Sequence, residues 1–224
     1  MKTKAARRSF VTRAGAVRSV RGWGVPESAE ELYRRALAAA DEDGRLPVPP
    51  LDEWETFPFE GDIRTRPLRP PGDDPPRQGE GGVDCWRCGT GDEDAIWSDE
   101  HWLVAPLPKP SGLPVVVLLH PREHCDLDGL PLERQSELGP LIVRIERAVV
   151  GVGNIERVHV GRWGDGSEHL HFWFMARPAR MPQLRMSFAA IWDDILPPVP
   201  EEVWRANNAV VARALAAGGG RAHV

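Results

Sequence analysis

The segment from His169 to Met175 restricts the possible fold more than any other part of the chain. It reads His-Leu-His-Phe-Trp-Phe-Met, and every second residue of it is apolar. Side chains alternate between the two faces of a β-strand, so Leu170, Phe172 and Phe174 would share one wholly apolar face. We therefore expect a strand that buries this face in a core and whose opposite face lines a pocket.

The opposite face of the predicted strand carries His169, His171 and Trp173. Two neighbouring imidazoles suit metal binding, or a nucleophile beside an orienting group. The alternative is that both are ordinary histidines on a half-exposed strand and bind no ligand. The glycine-rich loop just ahead of them can turn backbone N–H groups toward an anion, although the same residues are also common in turns. The loop residues are Gly164, Asp165, Gly166 and Ser167.

A Cys-x-x-Cys pair, Cys85 and Cys88, offers a second chemical site. In a reducing compartment this spacing is typical of a metal clip or a redox pair. A tetrahedral zinc site needs two further ligands, and the histidines near the ends of predicted strands are His120, His124 and His169. Because His124 lies beyond its strand and is free to reach back, we predict a site made of Cys85, Cys88, His124 and His169.

The periodicity of apolar residues predicts an α+β fold in which one main helix packs on an antiparallel sheet. Four domains are predicted: a basic flexible arm (1–26), an extension with one helix and a Pro-rich wrap (27–83), the α+β domain (84–180) and a helical extension (181–224). The predicted strands cover residues 95–97, 102–105, 113–120, 157–161 and 169–175, and the predicted helices cover 28–42, about 138–150, 187–195 and 200–217.

Charge and composition exclude several classes of protein. The formal net charge is −5, which argues against a nucleic-acid partner, although the residues before Glu27 carry only positive charges. This start lacks the apolar run of an export signal, and no segment approaches the roughly 20 apolar residues of a membrane span. With three cysteines the chain has no disulfide framework, and Cys125 is interpreted as a packing residue. A cytoplasmic protein is therefore expected.

The residues above resemble those of the histidine-triad (HIT-like) proteins, which share a superfamily with the galactose-1-phosphate uridylyltransferases. The family motif is His-φ-His-φ-His-φ-φ, where φ is apolar, and here it reads His169-Leu-His-Phe-Trp-Phe-Met. Residues 98–104 resemble the first hairpin of the family, and residues 112–124 resemble the strand that ends in Pro-x-x-His in zinc-bearing members. The resemblance covers roughly residues 84–180.

The resemblance implies nucleotide chemistry at the middle histidine, His171. This residue would attack the α-phosphorus of a nucleotide or dinucleotide substrate and hold the nucleotidyl group until water or a second acceptor takes it. The loop from Gly164 to Ser167 would contact phosphate, and a homodimer is implied. It also implies a zinc ion, structural because four protein ligands leave no open position, on Cys85, Cys88, His124 and His169.

Trp173 occupies the position of the third histidine of the motif. Its indole offers one N–H donor and no acceptor, and we count it with His171 among the catalytic candidates. The expected function is a nucleotide hydrolase or a nucleotidyl transferase. The alternatives are a catalytically weakened nucleotide-binding module and a zinc-stabilised interaction protein.

Overall fold

The computed structural model describes residues 27–224, and the basic arm predicted over residues 1–26 lies outside them. Contacts divide the chain into two compact units, one ending at Pro47 and including Arg66–Pro71, the other made of Val48–Thr65 and Gly72–Val224. The helices are α1 (Ala29–Leu37), α2 (Trp86–Thr90), α3 (Leu132–Val150), α4 (Ala189–Ile195) and α5 (Glu201–Ala216), and the strands are β1 (Trp97–Ser98), β2 (Trp102–Pro106), β3 (Val116–Pro121), β4 (Ile155–Gly161), β5 (Phe172–Pro178) and β6 (Arg221–Ala222).

The first unit contains α1, which begins with a capping box. The Ser28 hydroxyl accepts from the backbone N–H of Glu31, and the Glu31 carboxylate accepts from the backbone N–H of Ser28. The helix ends at Leu37, earlier than the predicted residue 42. The reason is a turn in which the Asp41 carboxylate accepts from the backbone N–H groups two and four residues later, in competition with helical hydrogen bonds.

The second unit contains one antiparallel sheet with the strand order β4-β5-β3-β2-β1-β6. Every neighbouring pair in it is antiparallel. The 19-residue helix α3 is the longest helix of the described residues. The predicted α+β class, with an antiparallel sheet and one main helix, is therefore confirmed.

One face of the sheet is buried under α3 and α5. Phe174 of β5 and Leu119 of β3 share a core cluster with Ile145 of α3 and Leu215 of α5, and all four are fully buried. Leu170 and Phe172 also pack in or against this cluster. The apolar face predicted from the sequence is thus the core face, and the opposite face of the sheet is available to line a cavity.

The segment with the two histidines enters the sheet later than predicted. Strand β5 begins at Phe172, whereas the predicted strand began at His169. The residues before Phe172 bond elsewhere, because the backbone N–H of Leu170 donates to the carbonyl of Cys125, 2.8 Å away. Both histidines therefore lie just ahead of the strand.

The end of the chain completes the sheet in a way that the sequence analysis missed. After α5, residues Arg221 and Ala222 form β6 and pair with β1. Gly220, at φ +80°, lies so close to Trp97 that a Cβ would be 2.6 Å from the indole ring. The domain boundaries predicted at residues 84 and 180 stay predictions, but α5 shares the core of the strands.

The loop before β3 packs tightly on the end of α4, which leads to a stability prediction. A Cβ at Gly112 would lie 2.5 Å from the Cβ of Leu196 and 2.7 Å from the carbonyl oxygen of Asp193. We expect Gly112→Ala to lower the free energy of unfolding by about 1–3 kcal/mol, because the added methyl group overpacks a closed contact. Urea denaturation measures this as a lower midpoint at an unchanged slope.

Gly139→Ala is the matched control for this substitution. Gly139 lies inside α3, and a Cβ there would meet nothing within 4 Å. Alanine at this helical position is expected to stabilise the protein by about 0.5–1 kcal/mol. Equal midpoints for wild type and Gly112→Ala would contradict the predicted close packing.

Candidate active site

Four potential metal ligands converge at one end of the sheet. Cys85 is the N-cap of α2 and Cys88 lies in its first turn, so the short helix presents both thiols in one direction. His124 follows the end of β3, and His169 precedes β5. Their ligand atoms all lie within 4.8 Å of one another. The structure thus brings together the four residues predicted as metal ligands.

The distances within this cluster suit a tetrahedral zinc ion. The Nδ1 atom of His169 lies 3.4 Å from the Sγ of Cys85 and 3.5 Å from the Sγ of Cys88, and the Nδ1 of His124 lies 3.6 Å from the Sγ of Cys88. Zinc bonds of about 2.3 Å to sulfur and about 2.0–2.1 Å to nitrogen, at tetrahedral angles, separate the two ligand types by about 3.6 Å. The donor set and its spacing are compatible with zinc.

Hydrogen bonds on the far nitrogens orient both imidazoles toward the thiols. The Nε2 of His169 lies 2.9 Å from the carbonyl oxygen of Pro121, to which it donates. The Nε2 of His124 lies 3.1 Å from a carboxylate oxygen of Glu168. A proton on each Nε2 leaves the Nδ1 lone pair free, which is the arrangement that outer partners impose on metal-bound histidines.

Burial and hydrogen bonds together shape the ionisation of the cluster. Burial lowers the pKa of His169, because desolvation penalises the imidazolium form. Burial likewise raises the pKa of Cys88, to about 11. Burial opposes ionisation of Cys85 too, but hydrogen bonds from Cys88 and His124 outweigh it and lower its pKa. The cluster thus offers a neutral imidazole and one thiol inclined to ionise.

Glu168 connects the cluster to its surroundings, and we expect its substitution to weaken metal binding. Its carboxylate also accepts from the backbone N–H of Gly81, at 2.6 Å, and from Arg77, at 3.2 Å. Glu168→Gln keeps the shape but removes the anionic acceptor of His124, so zinc affinity should fall about 10- to 100-fold. Competition with a chromophoric chelator at fixed pH measures the change.

Glu133→Gln, on the exposed first turn of α3, is the control for the Glu168 substitution. It removes one negative charge at a position outside the cluster and should leave the zinc affinity unchanged. An affinity of Glu168→Gln equal to that of Glu133→Gln would contradict the role given to Glu168.

His171 is held in one orientation beside the cluster. Its Nδ1 lies 2.9 Å from the carbonyl oxygen of His169, so the Nδ1–H donates to the backbone. In that tautomer Nε2 carries a free lone pair. His169 also belongs to the metal cluster, so the residue whose carbonyl orients His171 is itself one of the four potential metal ligands.

A cavity of about 220 Å³ lies in front of His171. It is on the sheet face opposite the helices α3 and α5, and its walls come from β2, β3, α2 and the segment leading into β5. Its lining residues are Trp86, Arg87, Ala105, Pro106, Leu107, Pro108, Leu118, His120, Ser167, His169, His171 and Trp173.

The loop before His169 contributes less to this cavity than predicted. Of its four candidate residues only Ser167 lines the cavity. Instead, the backbone of this loop pairs with Gln78. The backbone N–H of Gln78 donates to the carbonyl of Gly166 at 3.0 Å, and Gln78 forms a β-bridge with Ser167. Asp165 is exposed. Phosphate contact by Gly164, Asp165 and Gly166 stays a prediction, and the cavity itself does not include them.

Trp173 lies two residues beyond His171 on the same side of the segment. Its ring meets that of His171 edge-on, with centroids 6.3 Å apart at 72°. Its Nε1 is buried and has no hydrogen-bond partner among residues 27–224. The indole N–H is therefore a donor whose partner could be a ligand in the cavity.

Two further cavity residues were not assigned a role from the sequence. His120, considered above only as a possible metal ligand, is 3% exposed, and burial holds its pKa well below the usual range. Arg87 is buried with its guanidinium bonded to both carboxylate oxygens of Asp94, at 2.7 and 3.0 Å. The sequence signal for both residues was their position: Arg87 lies between the two cysteines, and His120 ends a predicted strand.

Comparisons with known proteins give similarity at the level of structure. No family model matches the chain, and no curated protein matches it. Within residues 27–224, no helix has the length and apolar character needed to cross a membrane.

Solved structures of histidine triad proteins are similar to this chain. A zinc-bound histidine triad family protein from Mycobacterium smegmatis is 24% identical, with a TM-score of 0.42, over 60% of this chain and 98% of that one. A hypothetical histidine triad nucleotide-binding protein from Sulfolobus tokodaii is 14% identical, with a TM-score of 0.43, over 58% and 91%. A uridylyltransferase is 17% identical, with a TM-score of 0.42, over 61% and 46%.

The similarity to these solved structures concerns the fold alone. Their TM-scores lie below 0.5 and their identities below 25%. They are likenesses in the arrangement of helices and strands, and the chemistry of the site depends on the residues described above.

Proposed function

We propose that this protein is a nucleotide hydrolase or nucleotidyl transferase that works through a covalent nucleotidyl group on His171. One observation carries the proposal: the Nδ1 of His171 is bonded to the carbonyl oxygen of His169 in front of a cavity. This bond leaves Nε2 as the nucleophile. The motif around His171 supplies the substrate class, a nucleotide or dinucleotide.

A neutral imidazole is a competent nucleophile near pH 7 when it is held in one tautomer. The backbone carbonyl performs this task without adding a charge next to the phosphate. The His171 ring is also half-buried and contacted by the edge of Trp173. Phosphoryl transfer depends chiefly on positioning and charge stabilisation, and both features supply positioning.

The reaction would proceed in two displacements. In the first, Nε2 forms a bond to the α-phosphorus while the bond from phosphorus to the leaving group breaks, and the leaving group keeps the electron pair and takes a proton from solvent. In the second, the oxygen of water or of another hydroxyl acceptor bonds to phosphorus and gives its proton to solvent, and the N–P bond breaks with its electron pair returning to Nε2. His171 is then neutral again, and the product is a nucleoside monophosphate or a new nucleotidyl ester.

Zinc on Cys85, Cys88, His124 and His169 would supply structural cross-linking, since four protein ligands leave no open coordination position for substrate. The four residues come from α2, the segment after β3 and the segment before β5. Holding these segments together fixes the His169 carbonyl, and with it the ring of His171. In this proposal the metal cluster positions the nucleophile and takes no part in the displacement.

Turnover with a panel of substrates tests the proposal. The zinc-loaded protein is incubated with nucleoside 5′-phosphoramidates and dinucleoside polyphosphates, and release of nucleoside monophosphate is followed by chromatography. We expect release with at least one of them. No release across the panel, together with no stabilisation of the protein by any nucleotide, would contradict it.

Trp173 favours one alternative, a nucleotide-binding module with weakened catalysis. The indole cannot accept a proton or titrate near neutrality, unlike the histidine it replaces in the motif. This alternative predicts that nucleotides raise the melting temperature of the protein without turnover. A homodimer, which the resemblance implies, is proposed as well, and sedimentation of the full chain tests it.

A further inference from the structure

His120 lies directly across the sheet from the proposed nucleophile. In the antiparallel pairing of β3 and β5, Leu118 is opposite Trp173 and Leu119 is opposite Phe172. His120 and His171 each lie one residue beyond the last pair of this register. Their ring centroids are 6.1 Å apart, tilted by 38°, and both rings line the same cavity.

The surroundings of His120 are unusual for a residue with a purely packing role. It is 3% exposed, and the rings of Trp86 and His169 meet it edge-on at centroid distances of 6.4 and 5.9 Å. The ring has a hydrogen bond with the backbone of Leu170, but its Nδ1 is buried without a hydrogen-bond partner among residues 27–224. A buried polar atom left unpaired destabilises the folded protein, which a leucine at this place would avoid.

We propose that His120 is the third imidazole of the site and hydrogen-bonds a non-bridging phosphoryl oxygen of the nucleotide at His171. This inference rests on the proposed function and assigns the phosphate contact that the motif leaves open at Trp173. A phosphoryl oxygen only accepts, so in this contact an N–H of His120 donates to it. Rotation of the His120 ring by half a turn exchanges its nitrogen and carbon positions, so either edge can present a nitrogen.

The position of His120 suits a contact to phosphate rather than to the metal. The four predicted ligand atoms already satisfy a tetrahedral site without it. Its ring faces the same cavity as the ring of His171 but comes from the neighbouring strand. A phosphate bound to Nε2 of His171 would therefore be approached from two sides, by His171 and by His120.

Two substitutions separate a phosphate contact from packing. His120→Phe keeps a flat ring against Trp86 and His169 but removes both nitrogens. His120→Gln restores a donor and an acceptor on a flexible side chain. Zinc content and melting temperature are measured for both proteins, and the affinity comparison is made at equal zinc content.

The experiment compares the binding of a nucleoside monophosphate with that of its parent nucleoside. Of AMP, GMP, CMP and UMP, the one that binds wild type most tightly is used, and both dissociation constants are measured by calorimetry. We expect His120→Phe to weaken monophosphate binding about tenfold or more, the typical effect of a lost charge-assisted hydrogen bond. Nucleoside binding should stay unchanged, and His120→Gln should recover most of the loss.

A packing role would change both ligands alike, because the cavity itself would be altered. Equal weakening of monophosphate and nucleoside, no weakening of either, or no recovery by His120→Gln would overturn the inference. The wild-type protein separates this inference from the proposed function. If monophosphate binding depends on His120 but wild type forms no covalent nucleotidyl group, catalysis by His171 is rejected and the phosphate contact is retained. A wild-type protein that neither binds a monophosphate nor forms the covalent group would reject both.

Discussion

His171→Ala is expected to lower kcat/KM for nucleotide cleavage by about 10⁴-fold or more, as the loss of a covalent nucleophile does in other enzymes. The substitution removes the nitrogen that bonds to phosphorus and leaves the backbone carbonyl of His169 without its partner. Without this nucleophile, water would have to attack the substrate directly, in a cavity shaped for a nucleotide bonded to His171. Steady-state kinetics on the best substrate of the panel measures the loss.

The His171 substitution is compared with His101→Ala. His101 lies in the turn between β1 and β2 and does not line the cavity. Its substitution should leave kcat/KM within about twofold, as expected for a surface position away from the chemistry. Activity of His171→Ala within tenfold of the parent would contradict covalent catalysis at this residue.

Cys88→Ser should have the second large effect, because it removes one thiolate of the proposed zinc cluster. Structural zinc contributes about 10–16 kcal/mol of apparent binding free energy in zinc-finger peptides, so even a partial loss should lower the free energy of unfolding by several kcal/mol. Cleavage activity should fall with it, since His169 joins the cluster to the carbonyl that orients His171. Metal analysis and urea denaturation measure the two effects.

Cys125→Ser is the matched control for the cysteine substitution. Cys125 is partly buried against the core and lies outside the cluster, and burial raises the pKa of its thiol. This substitution should cost about 1 kcal/mol and leave the zinc content unchanged. Full zinc content in Cys88→Ser, with unchanged stability, would contradict the metal cluster.

The cluster and the core face were accessible from sequence because they depend on local rules. The alternation after His169 fixes which side chains face the helices, and the Cys-x-x-Cys spacing fixes the direction of two thiols on α2. His124 was identified from its position past the end of a strand. Local spacing indicates each ligand, whereas the meeting of Cys85 and His169, 84 residues apart, was inferred from the four ligands that a tetrahedral zinc site needs.

The features that sequence reasoning missed depend on contacts between distant segments. Gln78 occupies the loop before His169 from nearly 90 residues away, which no local pattern indicates. Strand β6 forms because Gly220 allows the chain to pass against Trp97, a contact that spans more than 120 residues. His120 was set aside because its proximity to His171 is known only once β3 and β5 are paired.

Intact-mass spectrometry of the zinc-loaded protein tests the covalent role of His171 most directly. The protein is mixed with the best phosphoramidate substrate and stopped with denaturant at alkaline pH, since an N–P bond to histidine is labile in acid. We expect a transient mass increase of one nucleotidyl group per chain, mapped to His171. Release of nucleoside monophosphate with no adduct at any time, or an adduct on another residue, would contradict it.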